Sequence, residues 1–160
     1  MEFALAADGA SSPAEDALRQ IMTGTWEADP EAVAEGIPSD AQIQSRAKVM
    51  SGIKYFARHG YPPRASGVNA LRDGIWEFKE RYKRISFFDT DGRGGYEPKH
   101  KFTEREESDY PDSEYWHIPS FDECIRLGHC FGKPPEQRTT TEQDIEATLR
   151  VRREDLSHDQ

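Results

Sequence analysis

Cysteine, apolar residues and net positive charge are all scarce in this 160-residue chain. Its two cysteines, Cys124 and Cys130, would lie roughly 20 Å apart on one extended strand, beyond disulfide reach. Neither belongs to a second Cys or His pair at zinc spacing. Both therefore read as reduced structural thiols, and no metal or cofactor is expected. Hydrophobic residues make up 35% of the chain and charged residues 32%, so the core has to be compact, with the polar excess carried by loops and tails. No apolar run approaches the length that crosses a bilayer, so no membrane partner is expected. The opening residues (MEFALAADGASS) have neither the basic segment nor the continuous apolar stretch of a signal peptide. A cytoplasmic protein is the expectation. The length fits one domain, residues 1–160, with a single core.

The formal net charge of −9 argues at first sight against a nucleic-acid partner, but the charge is unevenly spread. Residues 1–40 hold nine acids and one base, and residues 91–124 hold ten acids and four bases. Asn69–Thr90, in contrast, carries five bases and four acids, and Ile125–Arg153 six and four. Two mildly basic segments thus sit in an otherwise acidic molecule.

Local signals predict the elements. Glu2–Ala7 reads as a weak first strand, followed by an Asp8-Gly9 turn. Ser12-Pro13-Ala14-Glu15 has the form of a helix start, with the helix running to about Met22. Ser39-Asp40-Ala41-Gln42 is a capping box opening the strongest helix, on which Ile43, Ala47, Met50, Ile53 and Ala57, broadened by Val49 and Phe56, form a core-facing stripe. Gly60 and Pro62-Pro63 end it. Gly74–Arg81 alternates, Trp76 and Phe78 against Glu77, Lys79 and Arg81. Tyr82–Phe88 follows with Ile85 and Phe87 opposite Arg84, Ser86 and Phe88, and Asp89–Gly95 is turn chemistry. Ile125–Phe131 is a further strand with Ile125, Leu127, His129 and Phe131 on one face. Thr139 with Glu142 makes a second capping box, for a helix to about Arg153 that presents Ile145 and Leu149 together. The final residues look frayed.

Leu127–Thr139 (LGHCFGKPPEQRT) and Leu71–Lys79 (LRDGIWEFK) carry a family likeness. The first is similar to an apolar pair, His, Gly, Phe, a Lys doublet and Gln-Lys-Thr, with Leu127, His129, Phe131, Lys133, Gln137 and Thr139 matching and Arg138 replacing a Lys. The second is similar to Leu-Arg-x-Gly-Leu-Trp-Glu-Leu-Arg, and Arg84 falls on the arginine of a Tyr-Arg-Val motif. On these residues the chain resembles the HigB/RelE-type toxins, in particular the phage-derived HigB-like branch of the RelE/ParE superfamily. The resemblance implies an α+β fold: a small, twisted, mainly antiparallel sheet with N-terminal helices and a C-terminal helix. It implies a metal-independent endoribonuclease, an mRNA interferase acting on mRNA at the ribosome and neutralised by a helix-turn-helix antitoxin. The chain departs from the family at Pro134-Pro135, which break the Lys doublet. It departs again at residues 91–124, an acidic, aromatic insertion where the family has a short hairpin.

Cleavage of RNA by its own 2′-hydroxyl requires a base, a cation for the pentacoordinate phosphate and an acid for the leaving oxygen. Arg84, Lys133, His129 and Lys79 are the candidate catalytic residues, and Arg81, Lys83 and Arg138 the candidate RNA contacts. A guanidinium clamps phosphate bidentately, and imidazole suits proton transfer. Lys79, Arg81 and Arg84 read equally as solvated strand charges paired with Glu77 or Glu80. His129, alternating with Leu127 and Phe131, reads first as a packed core histidine. The missing second Lys and the overall acidity favour another reading: a non-catalytic, phage- or mobile-element-derived member of the fold that acts as a protein-binding inhibitor. In that reading the aromatics of residues 96–123 would dock a protein partner or fold over the Arg84/Lys133 surface.

Overall fold

The computed structural model describes residues 1–31, 39–121 and 124–159, with residues 39–41 described by their backbone alone. Among the described residues, three long helices, α1 (Pro13–Thr23), α2 (Ser39–His59) and α3 (Glu142–His158), combine with five strands: β1 (Glu2–Phe3), β2 (Val68–Ala70), β3 (Trp76–Glu80), β4 (Lys83–Phe88) and β5 (Arg126–Gly132). The sheet order is β1-β5-β4-β3-β2. β1 runs parallel to β5 and every other pairing is antiparallel. The fold is α+β with a mixed sheet. β2, too short and polar to announce itself, is an addition to the sequence-based expectation, and the predicted first strand shrinks to two residues.

The apolar core lies on one face of the sheet. α1 starts as its sequence predicts, with the Ser12 side chain accepting from the Glu15 amide, and it ends at Gly24, whose φ of 73° is left-handed. Ala14, Ala17, Leu18 and Ile21 pack from it against Trp76, Phe78, Ile85, Phe87, Leu127 and Cys130. α2 keeps part of the expected stripe, with Met50 packed against the core, and loses the rest. Val49, Ile53 and Phe56 are buried together with Gln42 and Ser45, whereas Ile43 is 45% exposed and Ala47 and Ala57 lie on the surface. The Phe56 ring sets this rotation by meeting Phe78 edge-on at 5.4 Å and Phe87 at 5.7 Å. Gln42 is buried without penalty because its amide accepts from the Trp26 N–H and donates to the Trp26 carbonyl, both at 3.1 Å. That use replaces the expected bond back to Ser39, whose side chain lies outside the described residues.

A register shift between Ile85 and Phe87 decides what β5 shows on each face. Ser86 Oγ accepts from the His129 amide at 2.9 Å and donates to the His129 carbonyl at 3.1 Å. Gly128 turns towards Ser86, Phe88 and Thr148 of α3, and His129 faces Asp144 of the same helix. Two successive residues thus share one side, as a β-bulge allows. The expected face of Ile125, Leu127, His129 and Phe131 is corrected accordingly: Ile125, Leu127 and Cys130 enter the core, and His129 leaves it.

α3 covers the other face. Its cap is Thr141, whose hydroxyl oxygen accepts from the Asp144 amide, two residues beyond the expected Thr139. It also runs on through the residues that look frayed. Asp155, buried, accepts from the Leu5 amide at 2.7 Å and pairs with Arg126 at 2.7 Å, while His158 Nε2 lies 2.8 Å from the Ala6 carbonyl.

The long connection from β4 to β5 packs on its own protein. Ile118 is buried in the core, Phe121 meets Phe56 and Trp76 at 5.3 Å each, and the Tyr115 ring lies 5.1 Å from Tyr61. Trp76 Nε1 donates to the Lys99 carbonyl at 2.8 Å. Of the aromatics that suggested an outside partner, Phe121, Tyr115 and Tyr110 therefore find ring counterparts within the chain, while Trp116 lies against Arg105 and His117.

Two glycines test these packings with opposite signs. A Cβ on Gly132 would collide with the Ala28 carbonyl oxygen, whereas one on Gly52, inside α2, meets nothing within 4 Å. Gly132→Ala should lower unfolding stability by about 1–3 kcal/mol, and Gly52→Ala should raise it by about 0.5–1 kcal/mol. Urea unfolding of the two variants checks both, and a tolerated Gly132→Ala would contradict the close approach of residues 28–30 to β5.

Candidate functional site

The sheet face opposite the core carries a polar cluster built by β-strand alternation. On β3, Glu77 and Lys79 point away from the core that Trp76 and Phe78 enter. On β4, Arg84 sits opposite Lys79 in the register. Glu77 is 0% exposed. Its Oε1 accepts from Asn69 Nδ2 of β2 at 3.1 Å and lies 3.5 Å from Arg84 Nε, and its Oε2 accepts from Thr140 Oγ1 at 3.0 Å. One carboxylate thereby joins β2, β3, β4 and the approach to α3.

Arg84 is 9% exposed. Its Nη1 donates to the carbonyls of Arg81 at 2.6 Å and Lys83 at 2.9 Å, closing the β3–β4 turn in which Arg81 takes a left-handed φ of 53°. Lys79 Nζ donates to Asn69 Oδ1 at 3.4 Å. Burial, then the nearby Arg84 charge and more weakly Lys133, push the Lys79 ammonium below its ordinary value, with Glu77 opposing. Lys133 is anchored beside this group by its amide, which donates to the Tyr82 carbonyl at 2.7 Å. Arg84 thus pairs with the buried Glu77, and Lys79 and Lys133 stand near enough for their charges to be felt, a local surplus of positive charge.

His129 stands on the same sheet face, one strand over. Its Nε2 lies 3.7 Å from Asp144 Oδ1, in the first turn of α3, and its ring stacks on Phe131 at 5.8 Å. Burial lowers its pKa, partly offset by Asp144, so the imidazole is neutral at neutral pH and able to accept a proton.

The remaining candidates lie elsewhere. Arg81 is largely exposed and pairs with Glu31 at 3.0 Å. Lys83 points to the other face, where it is 2% exposed and sits 3.2 Å from Asp29 and 3.9 Å from Glu31. Expected as an RNA contact, it is a buried ion pair with no surface to offer, because the lysine opens β4 on the side that Ile85 and Phe87 share. Arg138 is exposed on the β5–α3 connection, which keeps it available to a ligand. Among the described residues, no three His, Cys, Asp or Glu side chains are grouped to hold a metal ion. Asn69, Thr140 and Asp144 escaped the sequence reading, since short polar residues in loops and first turns resemble ordinary caps. Glu77 entered it only as a partner for strand charges.

No family model matches the chain, and neither a curated protein nor a solved structure does.

Burial reverses one expectation about Arg84. A solvated strand charge would be removable at little cost, but Arg84→Ala leaves the Glu77 carboxylate buried and unpaired, and should destabilise by about 3–5 kcal/mol. Adding Glu77→Gln should recover part of that loss, and a chemical-denaturation cycle of the four proteins measures it. Additive effects would show that the two side chains do not interact.

His129 gives a pH dependence. Its folded pKa lies below the ordinary 6.5, so as pH falls through 6.5 the unfolded chain takes up a proton before the folded one and stability drops. His129→Gln should remove this part of the slope of unfolding free energy against pH. An unchanged slope would assign the acid sensitivity to other groups.

Proposed function

We propose that this protein is a HigB/RelE-like toxin: a metal-independent endoribonuclease that cleaves mRNA at the ribosome and is held in check by a helix-turn-helix antitoxin. The observation that carries this reading is the grouping of Lys79 and Arg84, with Lys133 near them, on the sheet face that also carries His129, burial holding the Lys79 ammonium below its ordinary value. His129, neutral and aligned by Asp144, is suited to accept the 2′-hydroxyl proton, the Lys79 ammonium to give a proton to the leaving 5′-oxygen, and Lys133 to stabilise charge on the phosphate. Arg84 acts mainly by holding the turn and Glu77 in place. The family likeness of Leu71–Lys79 and Leu127–Thr139 supports the same assignment.

A second reading has its own observation. Arg84 Nη1 is already committed to two backbone carbonyls, which leaves less of the guanidinium free for phosphate than a clamp requires. A non-catalytic relative working as a protein-binding inhibitor would retain such an arrangement for stability alone.

Expression without a partner should arrest growth and yield cut mRNA. The purified protein should cut single-stranded RNA in the presence of a chelator. Lys79→Ala and Lys133→Ala should each lower the rate roughly 10²–10⁴-fold with little change in Tm. Normal growth with intact transcripts, at confirmed soluble expression, would overturn the nuclease reading in favour of the inhibitor.

A further inference from the structure

The start of β4 carries a buried group that the polar cluster on the opposite sheet face does not use. Lys83, on the core side, is 2% exposed, and Asp29 and Glu31, from the segment after α1, are 1% and 7% exposed. Lys83 Nζ stands 3.2 Å from Asp29 Oδ2 and 3.9 Å from Glu31 Oε2. Arg81 Nε holds the other Glu31 oxygen at 3.0 Å, which leaves Oε2 for the lysine. Asp29 Oδ1 accepts from the Glu31 amide at 3.1 Å. Asp29 has no room to back away. Its neighbours Ala28 and Pro30 lie so close to Gly132, the β5 residue opposite Lys83, that a Cβ there would strike both.

An ion pair alone leaves this group unsatisfied. Lys83 Nζ makes no hydrogen bond of ordinary geometry to a described residue. An ammonium has three protons to place, and burying them unplaced is costly. A single change removes the cost. Joined to the carboxyl as an amide, the nitrogen keeps one N–H and no charge, and the remaining oxygen already has its donor.

We infer that Lys83 and Asp29 join covalently, through an amide between Nζ and Cγ, with Glu31 as the proton carrier. One proton first passes from the ammonium to Asp29 Oδ2, giving an amine and a carboxylic acid, a pair that buried surroundings favour over ions. The amine attacks Cγ, and the charge that gathers on Oδ1 meets the Glu31 N–H. Glu31 Oε2 takes a proton from the attacking nitrogen and returns it to Oδ2. The Cγ–Oδ2 bond then breaks and one water leaves. Nothing is oxidised or reduced, and no co-reactant is needed. Because the fold holds both groups in contact, a condensation that is slow between separate molecules becomes an intramolecular step. The product ties the segment after α1 to β4, and none of this depends on the nuclease reading.

The test is the intact mass of the full chain, purified folded and then denatured. It should fall below the sequence mass by one water. Digestion should yield a branched fragment that joins the peptide of Asp29 to that of Lys83 and resists reductant and hydroxylamine. Lys83→Met should restore the full mass. Asp29→Asn should join with loss of ammonia instead of water, since the side-chain nitrogen then leaves in place of Oδ2. Glu31→Gln should lower the joined fraction severalfold at equal times after synthesis, and an undiminished fraction would overturn the role given to Glu31. Ring closure at Asp8-Gly9, Asp73-Gly74 or Asp91-Gly92 also removes one water, through a backbone imide. A water loss that persists in Lys83→Met and is cleaved by hydroxylamine would therefore overturn the inference. So would the full sequence mass in wild-type protein that unfolds cooperatively. The wild-type mass and its branched fragment decide the question even where a variant does not fold.

Discussion

A carboxylate buried on the wrong side of a strand is the constraint around which this fold is arranged. Glu77 faces away from the aromatic core, yet it is 0% exposed, and an isolated charge there would be prohibitive. It is tolerated because β2 supplies Asn69, β4 supplies Arg84 and the approach to α3 supplies Thr140. Two hydrogen-bond donors and one charge at 3.5 Å come from different parts of the chain, so satisfying the one acid fixes the outer strand, the hairpin register and the seating of the last helix together. The cationic surface follows from this arrangement. Arg84 is drawn in by Glu77, Lys79 is desolvated beside it, and Lys133 is brought alongside by the hairpin carbonyl of Tyr82.

Much of the fold is legible in the sequence where local chemistry decides. Ser12 and Pro13 start α1 as read, and the alternation of Trp76 and Phe78 against Glu77 and Lys79 assigns β3 correctly. What escapes is whatever depends on distant partners. The stripe of α2 misreads because Gln42 and Ser45 are polar but buried, the glutamine bonded to Trp26, while Ile43 is apolar and exposed. Nothing within the helix distinguishes the two cases. His129 misreads because a single register shift against Ser86 moves it from core to cluster, and strand alternation cannot anticipate a bulge. Of the site, the shared face of Lys79 and Arg84 is legible from strand alternation, whereas Arg81, expected with them, turns to Glu31. The burial of Lys83 with Asp29 depends on a pairing between distant parts of the chain.

The acidic connection between β4 and β5 is held by its less polar members. Ile118 and Phe121 are spent on the core, and Tyr115 meets Tyr61 just beyond α2 and donates its hydroxyl to the Pro63 carbonyl at 3.3 Å. So long a segment is tied to the body of the protein by a few apolar anchors, and its acids can stay hydrated between them.

The bond from the Leu5 amide to Asp155 closes a loop of 150 residues, and β1 lies against a strand from the far end of the chain. Contacts so distant in sequence form late and slowly. On a ribosome, α1, α2 and the β3–β4 hairpin emerge well before β5 and α3, leaving the aromatic face of the hairpin waiting for its neighbours. Glu77 and Lys79 then remain hydrated, because Thr140 and the covering helix have not yet been made. The cluster therefore comes into being only once β5 and α3 have been made, and the shorter nascent chain is chemically unlike the folded one.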